Sequence, residues 1–154
     1  MAKATSLALW LVASVALIWS APAARAEDVR PAFAAAQAPE QAYATCRGAT
    51  AEKAGACALN KCRESGAEDC TLMAACASGW AGSVGIRLEE IHFTDTVCGA
   101  PSKQAVIDAL VAFCRGHLPQ VQECFIAEVW SPDGTSMNIE RTLTRKQIKS
   151  KTLP

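Results

Sequence analysis

The sequence predicts an α+β domain in which two helices pack on a mainly antiparallel sheet and disulfide bonds staple the arrangement. Three observations support this prediction. Two segments, 46–76 and 98–130, repeat the same order of features. All eight cysteines lie beyond residue 45, outside a leader-like N-terminus. Apolar residues recur at helical spacing in two places, with short strand-like runs between them. Helices combined with antiparallel strands in this way are typical of one layered domain.

The two segments are matched by their cysteines and small residues. Each copy begins with a cysteine, continues into an N-capped helix that ends in a second cysteine, and opens an apolar run with a third. Two copies are too few for a solenoid, which needs three or more, so the pattern predicts one pseudo-symmetric domain. Chance alignment of alanine-rich helices is the alternative. The matched pairs are Cys46 with Cys98, Cys62 with Cys114, and Cys70 with Cys124.

The N-terminal segment 1–26 has the three parts of a Sec-type signal peptide. Lys3 supplies positive charge, residues 7–19 form an apolar core, and Ala24-Arg25-Ala26 has the small-x-small form of a cleavage site. The apolar core is shorter than the about twenty residues that span a bilayer. We therefore predict a cleaved signal peptide, no stable membrane span, and a location in the periplasm or outside the cell. An uncleaved anchor is the alternative.

The remaining chain is predicted to have three parts. Residues 27–42 are rich in alanine and proline without a clear apolar period, which indicates a flexible arm. Residues 43–144 hold the cysteines and are long enough for a single disulfide-rich domain with a modest core. Residues 145–154 form a basic tail.

An even number of cysteines in a small exported chain indicates disulfide bonds rather than metal ligands. Equivalent cysteines in a repeat should form equivalent bonds, each of which joins a helix end to the next strand. For loops of this size, the chain-entropy model gives about 2.5–3 kcal/mol of stabilisation per bond. The predicted pairs are Cys62 with Cys70 and Cys114 with Cys124 from the repeat, and Cys46 with Cys98 and Cys57 with Cys76 for the remaining four.

The first repeat is predicted to contain a short strand at 43–46, a helix and a second strand at 70–76. Thr50 is placed to cap the helix, because a threonine hydroxyl accepts a hydrogen bond from a first-turn amide. The glycine-rich run 78–85 indicates a turn that leads into another strand, and the second half of 86–97 alternates as a strand does. The helix buries a small face that consists of Ala51, Ala54, Ala58 and Cys62.

The helix of the second repeat has the clearest pattern in the chain. Pro101 and Ser102 are start signals and Gly116 is a stop signal. Residues 125–130 should form a strand, and 131–134 a turn into a returning strand at 135–143. The apolar arc of the helix consists of Val106, Ile107, Leu110, Val111, Phe113 and Cys114.

Charge is unevenly distributed along a chain whose formal net charge is +0. Every acidic residue precedes the segment 141–151, which would contact an anionic surface or simply be a solvated end. The acidic body and the absence of aromatic residues in this segment argue against a nucleic-acid partner. Its basic residues are Arg141, Arg145, Lys146, Lys149 and Lys151.

Candidate catalytic residues are few. His92 lies with Glu89, Glu90 and Asp95 in the densest titratable cluster, and Glu90 and His92 would share one strand face as an acid/base pair. A solvated strand edge is the alternative. His117 follows the second helix, where it would meet the last carbonyls. Neither histidine has a metal-ligand spacing and no Cys-x-x-Cys occurs, so the sequence predicts no cofactor and no metal.

Two tryptophans are candidates for a binding surface. Trp80 and Trp130 qualify because tryptophan is common in binding hot spots. In a domain with so few aromatic residues, a place in the core is the alternative.

Three motifs carry a resemblance to known sequences. Ala-Glu-Lys-Ala at 51–54, Gly-Trp-Ala-Gly at 79–82 and Trp-Ser-Pro-Asp-Gly at 130–134, with the surrounding cysteines, resemble a family of small exported alphaproteobacterial proteins of unknown function. The resemblance covers 43–134 and implies a Gram-negative envelope protein with no assigned activity.

The sequence therefore predicts a non-enzymatic, exported binding module of the bacterial envelope. Its predicted partner is an envelope protein or a cell-surface component. One alternative is an inhibitor of an envelope or extracellular enzyme, which would present the segment 79–85 as a rigid loop. A second alternative is a small hydrolase that uses the cluster at 89–95.

Overall fold

The computed structural model describes residues 31–150. The predicted signal peptide, the first four residues of the predicted arm and residues 151–154 lie outside the described residues. Strands and helices follow one another with short connections. They are β1 (Ala32–Ala38), β2 (Ala42–Gly48), α1 (Ala51–Glu64), β3 (Thr71–Cys76), β4 (Trp80–Arg87), β5 (His92–Ala100), α2 (Lys103–Gly116), β6 (Glu123–Trp130), β7 (Ser136–Thr144) and α3 (Arg145–Lys149).

The two halves of the described chain have the same topology. In the first half β1 lies between β2 and β3, and α1 connects β2 to β3. In the second half β4 lies between β5 and β6, and α2 connects β5 to β6. Every pairing is antiparallel. Each half is therefore a ββαβ unit, and β7 is added beside β6 as a fourth strand of the second sheet.

The two sheets face each other, and each carries one helix on its outer side. Because side chains alternate along a strand, β1 directs one set of alanines toward α1 and places Phe33 and Ala35 in a separate cluster with Ala81 and Trp130 of the second sheet. The largest cluster lies between α2 and the second sheet. The α+β class with disulfide staples is confirmed, with helices on two sheets where the sequence suggested one.

The predicted flexible arm is wrong for residues 32–42. Ala32–Ala38 form β1, the middle strand of the first sheet, and no residue of it is more than 7% exposed. The run AFAAAQA gives no alternation of apolar and polar residues, and alanine is depleted in strands generally. Here it is suited to its place, because small side chains let a helix and a second sheet approach the same strand from opposite sides.

Both main helices begin as predicted. The Thr50 hydroxyl accepts from the amide of Lys53 at 3.2 Å, and the Ser102 hydroxyl accepts from the amide of Ala105 at 3.1 Å. These bonds satisfy donors that a first helical turn leaves unpaired. Gly116 is the last residue of α2, as its stop signal indicates.

The four disulfides confirm two predicted pairs and correct two. Cys62–Cys70 and Cys114–Cys124 each join a helix end to the next strand in equivalent positions of the two halves. The other bonds are Cys46–Cys57 and Cys76–Cys98, not Cys46–Cys98 and Cys57–Cys76. Cys57 lies on α1, which packs against β2 and so brings it to Cys46, with 5.8 Å between Cα atoms.

The Cys76–Cys98 bond joins β3 of the first half to β5 of the second. Next to it, Gly79 and Gly99 have φ values of 106° and 80°, which favour glycine. A Cβ on Gly79 would lie 2.8 Å from the carbonyl carbon of Gly99. Glycine is therefore required at this junction.

The predicted basic tail is in part a folded element. Residues 145–149 form α3, and its Ile148 is fully buried in the core beneath α2. Arg115 of α2 donates to the carbonyls of Ile148 at 3.1 Å and Ser150 at 2.9 Å. Lys146 and Lys149 stay exposed, so these two charges face solvent while the apolar side of the same turn is packed.

Candidate functional site

A cleft of about 490 Å³ opens between the β1–β2 hairpin and the second sheet. One side is the end of the hairpin, residues 37–43, and the other is formed by the adjoining ends of β4, β5 and β6. This volume falls in the range of about 300–1,000 Å³ that is usual for small-molecule sites. The cleft therefore lies between the two repeated halves and is built by both.

The floor of the cleft exists because one strand carries small residues on its inner face. Ala81, Ser83 and Gly85 alternate along β4 on the side that faces the first sheet. Ala81 fills the closed end of the interface, whereas Gly85 leaves the other end open. A Cβ on Gly85 would meet a single atom within 4 Å, the carbonyl oxygen of Phe125 at 3.8 Å.

Two aromatic side chains give the cleft its apolar walls. Tyr43 of β2 is 37% exposed and Phe125 of β6 is 39% exposed. Both values are high for large hydrophobic side chains in a domain with a packed core. The cleft therefore offers ring surface from each half of the molecule.

Gln37 supplies a polar group to the cleft. The residue lies near the end of β1, is 7% exposed as a whole, and lines the cleft. Within residues 31–150 its side-chain amide makes no hydrogen bond, and its backbone carbonyl accepts one from the Thr71 hydroxyl at 3.3 Å. The amide is not among the buried unpaired side-chain atoms of these residues, so its exposed part is available to a molecule in the cleft as both donor and acceptor.

The rim of the cleft is polar and carries a small net negative charge. Arg87 donates to Glu123 at 3.1 Å in an exposed ion pair that crosses from β4 to β6. Glu40 and His92 also line the cleft. The positive charge of Arg87 is therefore balanced, and no lysine lines the cleft among the described residues.

A hydrogen bond between the halves holds the tyrosine wall in place. The Tyr43 hydroxyl and Oγ1 of Thr96 are 3.0 Å apart, and Thr96 is 6% exposed on β5. Burial raises the pKa of the Tyr43 hydroxyl above its ordinary 10.0, while the bond to Thr96 opposes that rise. The hydroxyl is consequently neutral at physiological pH and fixed toward the sheet interface.

The cluster at 89–95 is not gathered into one site. Glu89 and Glu90 lie in the exposed connection between β4 and β5. His92 begins β5 and lines the cleft, but Asp95 falls on the opposite face of the strand and accepts a hydrogen bond from the amide of Thr96. The acid/base arrangement suggested by the sequence is therefore not assembled here.

The other histidine and the two tryptophans pack against the core. The His117 ring lies edge-on to Phe93 with 5.1 Å between centroids. Trp130 is 7% exposed and contacts Phe33 with 5.0 Å between centroids in the interface between the sheets. Trp80 packs on the other side of the second sheet, against the core beneath α2. The structure thus places Trp80 and Trp130 in different layers and not on one surface.

The segment 79–85 is not a presented loop. From Trp80 onward it belongs to β4, the strand between β5 and β6. Residues 81–84 are buried because the first sheet and α2 cover the two faces of this strand. This corrects the loop on which the inhibitor hypothesis depended.

Sequence reasoning missed most of this cleft, yet one signal pointed toward it. The sequence predicts two strands before the second helix, in 78–85 and in the second half of 86–97, but only one, at 43–46, before the first helix. A repeated fold requires another strand ahead of 43–46, and β1, the counterpart of β4, is that strand and carries Gln37 near its end. The small residues of β4 are also visible in the sequence. Their role depends on the first sheet, which packs against the face of β4 that carries them.

Neither a metal centre nor a membrane-spanning helix is found in the described part of the chain. Among residues 31–150, no three histidine, cysteine, aspartate or glutamate side chains form a group that could hold a metal ion. No helix in the same range has the length and apolar character to cross a bilayer. All eight cysteines are in disulfides.

Comparison with known proteins adds no relative to these observations. The resemblance to exported alphaproteobacterial proteins therefore stays a prediction. No family model, no curated protein and no solved structure matches this chain.

Proposed function

We propose that this protein is an exported, non-enzymatic binding module of the bacterial envelope and that its ligand, a neutral saccharide, binds in the cleft between the two halves. The observation that carries the proposal is the Gln37 amide, which lines the cleft and makes no hydrogen bond within residues 31–150. A ligand with hydroxyl groups would exchange hydrogen bonds with this amide.

The charges of the cleft favour an uncharged ligand. Arg87 is already paired with Glu123, and Glu40 adds a negative charge. A phosphate or carboxylate ligand would meet net negative charge and would have to displace Glu123 from Arg87. A neutral ligand needs no such exchange.

The walls favour a ligand that has an apolar face as well as polar edges. A sugar ring presents C–H groups on its faces and hydroxyls around its edge. The rings of Tyr43 and Phe125 suit the C–H faces of the sugar. The amide of Gln37 and the carboxylate of Glu123 suit its hydroxyls. The limited extent of the cleft also favours a small ligand, because a protein partner would need about 800 Å² of surface on each side.

An extracytoplasmic setting is supported by the cysteines. Four disulfides persist in the periplasm or outside the cell, whereas cytosolic thiols are kept reduced. The predicted signal peptide at 1–26 agrees with such a location.

The test is titration of the isotope-labelled protein with neutral oligosaccharides built from glucose or N-acetylglucosamine, followed by amide chemical shifts. Binding in the cleft should move the signals of Gln37, Gly85 and Phe125. Gly85→Leu should abolish the shifts, because its side chain would extend into the cleft from a Cβ whose nearest neighbour is the Phe125 carbonyl oxygen at 3.8 Å. Phe125→Ala should weaken binding at least tenfold.

A matched control is available on the opposite side of the second sheet. Phe113 of α2 is 38% exposed, against 39% for Phe125, but does not line the cleft. Phe113→Ala should therefore leave saccharide binding unchanged. Equal binding by the Gly85→Leu variant, or no shift with any neutral sugar, would reject the cleft as a saccharide site. Release of reducing ends during the titration would instead indicate an enzyme.

A further inference from the structure

The two sheets differ at one equivalent position. In the second sheet, β6 is flanked on one side by β4 and on the other by β7. In the first sheet, β3 occupies the place of β6 and pairs with β1, but no strand of the described chain lies on its other side. The position that β7 fills in the second half is therefore unfilled in the first.

This open edge lacks the charges that usually protect edge strands. A free edge exposes backbone donors and acceptors, and proteins discourage pairing there with charged side chains, proline or a bulge. Of the four edge strands, β2 carries Arg47, β5 carries Asp95, and β7 carries Glu140 and Arg141. The remaining edge, β3, reads TLMAAC and carries neither charge nor proline, and its one such device is a bulge at Met73.

The same strand exposes large apolar side chains. Leu72 is 45% exposed and Met73 is 36% exposed. Leu72 extends over α1, where a Cβ on Gly55 would lie 3.4 Å from its Cδ2. Apolar surface of this kind beside unpaired backbone groups marks a strand that is suited to pairing.

We propose that β3 pairs antiparallel with β3 of a second copy of this chain about a two-fold axis, so that two three-stranded sheets become one of six strands. This interface is separate from the cleft and does not depend on the proposed saccharide. A two-fold contact requires a self-complementary surface, and β3 meets that requirement.

The pairing opposes compatible residues. A bulge at Met73 puts Leu72 and Ala75 on the same face of β3, the face toward α1. With the axis between Met73 and Ala74, Leu72 therefore faces Ala75 of the second copy. A large side chain is then opposite a small one, which suits cross-strand packing. No charged residue lies in the paired segment 71–76.

The test is the molar mass of the full mature chain in solution, by sedimentation equilibrium over a range of concentrations. We expect a reversible dimer. Met73→Lys should give a monomer, because it places two ammonium groups beside the axis. The exposed side chain at this position allows the fold to persist, which far-ultraviolet circular dichroism would verify.

The control places the same charge on another edge strand. Thr142→Lys changes an exposed residue of the edge strand β7 and should leave the dimer intact. Amide exchange gives a second measurement, because the amides of β3 should become slower to exchange as concentration rises. A monomer at every concentration, or a dimer that Met73→Lys does not weaken, would overturn the proposal, and a monomer would leave β3 open to an extended segment of another protein.

Discussion

Tyr43 of β2 and Thr96 of β5 share a hydrogen bond of 3.0 Å, which joins the sheet of one half to the sheet of the other. The same tyrosine ring forms a wall of the cleft. A contact that helps to hold the halves together therefore also shapes the site between them, and stability and binding should respond together when it is changed.

Removing the hydroxyl should destabilise the protein. Tyr43→Phe keeps the ring and deletes the hydrogen bond, and Thr96, which is buried, loses its partner. We expect the free energy of unfolding at neutral pH to fall by about 1 kcal/mol. Denaturation in urea would measure the change, and an unaltered midpoint would show that the bond contributes nothing net.

The pH dependence follows from the raised pKa of Tyr43. The folded protein holds this proton more tightly than the unfolded chain, so the stabilisation is fully present below the ordinary pKa of 10.0 and is lost as pH rises through the folded value. Tyr43 is the single tyrosine of the chain. Tyrosinate absorbance therefore reports its pKa directly, and a value at or below 10.0 would contradict the described burial.

Packing between α2 and the second sheet should depend on a glycine. A Cβ on Gly82 would lie 2.5 Å from Cγ1 of Val106 and 3.1 Å from Cδ1 of Leu110. Gly82→Ala should lower the free energy of unfolding by about 1–3 kcal/mol, as overpacking of a core does. Urea denaturation measures this cost.

The control for that substitution lies in α2 itself. A Cβ on Gly116 would find no atom within 4 Å, and alanine is the better helix former. Gly116→Ala should therefore raise the free energy of unfolding, by about 0.5–1 kcal/mol. If both variants lost stability equally, the close approach at Gly82 would not explain its effect.

Peptide mapping should separate the described disulfides from the pairs expected from sequence. Digestion with trypsin without reduction should release the peptide ending at Arg47 joined only to the peptide ending at Lys61, through Cys46–Cys57. A complex that instead joins Cys46 to Cys98 would contradict the fold of both halves.

Loss of the bond between the halves should be costly. The Cys76→Ala/Cys98→Ala double variant opens a loop with a sequence separation of 22. The chain-entropy model gives a loss of about 3 kcal/mol for a loop of this size. Thermal or urea denaturation of this double variant beside the Cys62→Ala/Cys70→Ala variant, whose separation is 8, should show the larger loss for the first.

Much of the fold was predictable because local signals agreed with the tertiary structure. Both helices, their caps and the strands after them were indicated by Thr50, Ser102 and the cysteine spacing. The first strand, β1, was not indicated, because alanine fits many kinds of buried position and the run shows no alternation of apolar and polar residues. The sequence pattern also could not predict the division into two sheets. Alternation of apolar residues shows that one face of a strand is covered, but it does not show which element covers that face.

The candidate site was less predictable for a related reason. Gln37 reads as one polar residue in an alanine-rich run, and its importance comes from burial beside a strand that is distant in sequence. The sequence predicts a binding surface at Trp80 and Trp130 because tryptophan is common in such surfaces. The cleft is instead lined by the aromatic residues Tyr43 and Phe125. Residue type alone does not indicate which aromatic side chains remain exposed after two sheets stack.

The Cys76–Cys98 bond bridges the junction at which the first half ends and the second begins, so the peptide backbone is not the sole covalent connection there. A protease that cleaves anywhere between these two cysteines adds one water to the mass but leaves a single molecule until the bond is reduced. The halves would stay in register through β1, Tyr43 and the shared core. In an environment rich in proteases, a single cleavage at this junction would therefore leave the two halves covalently joined.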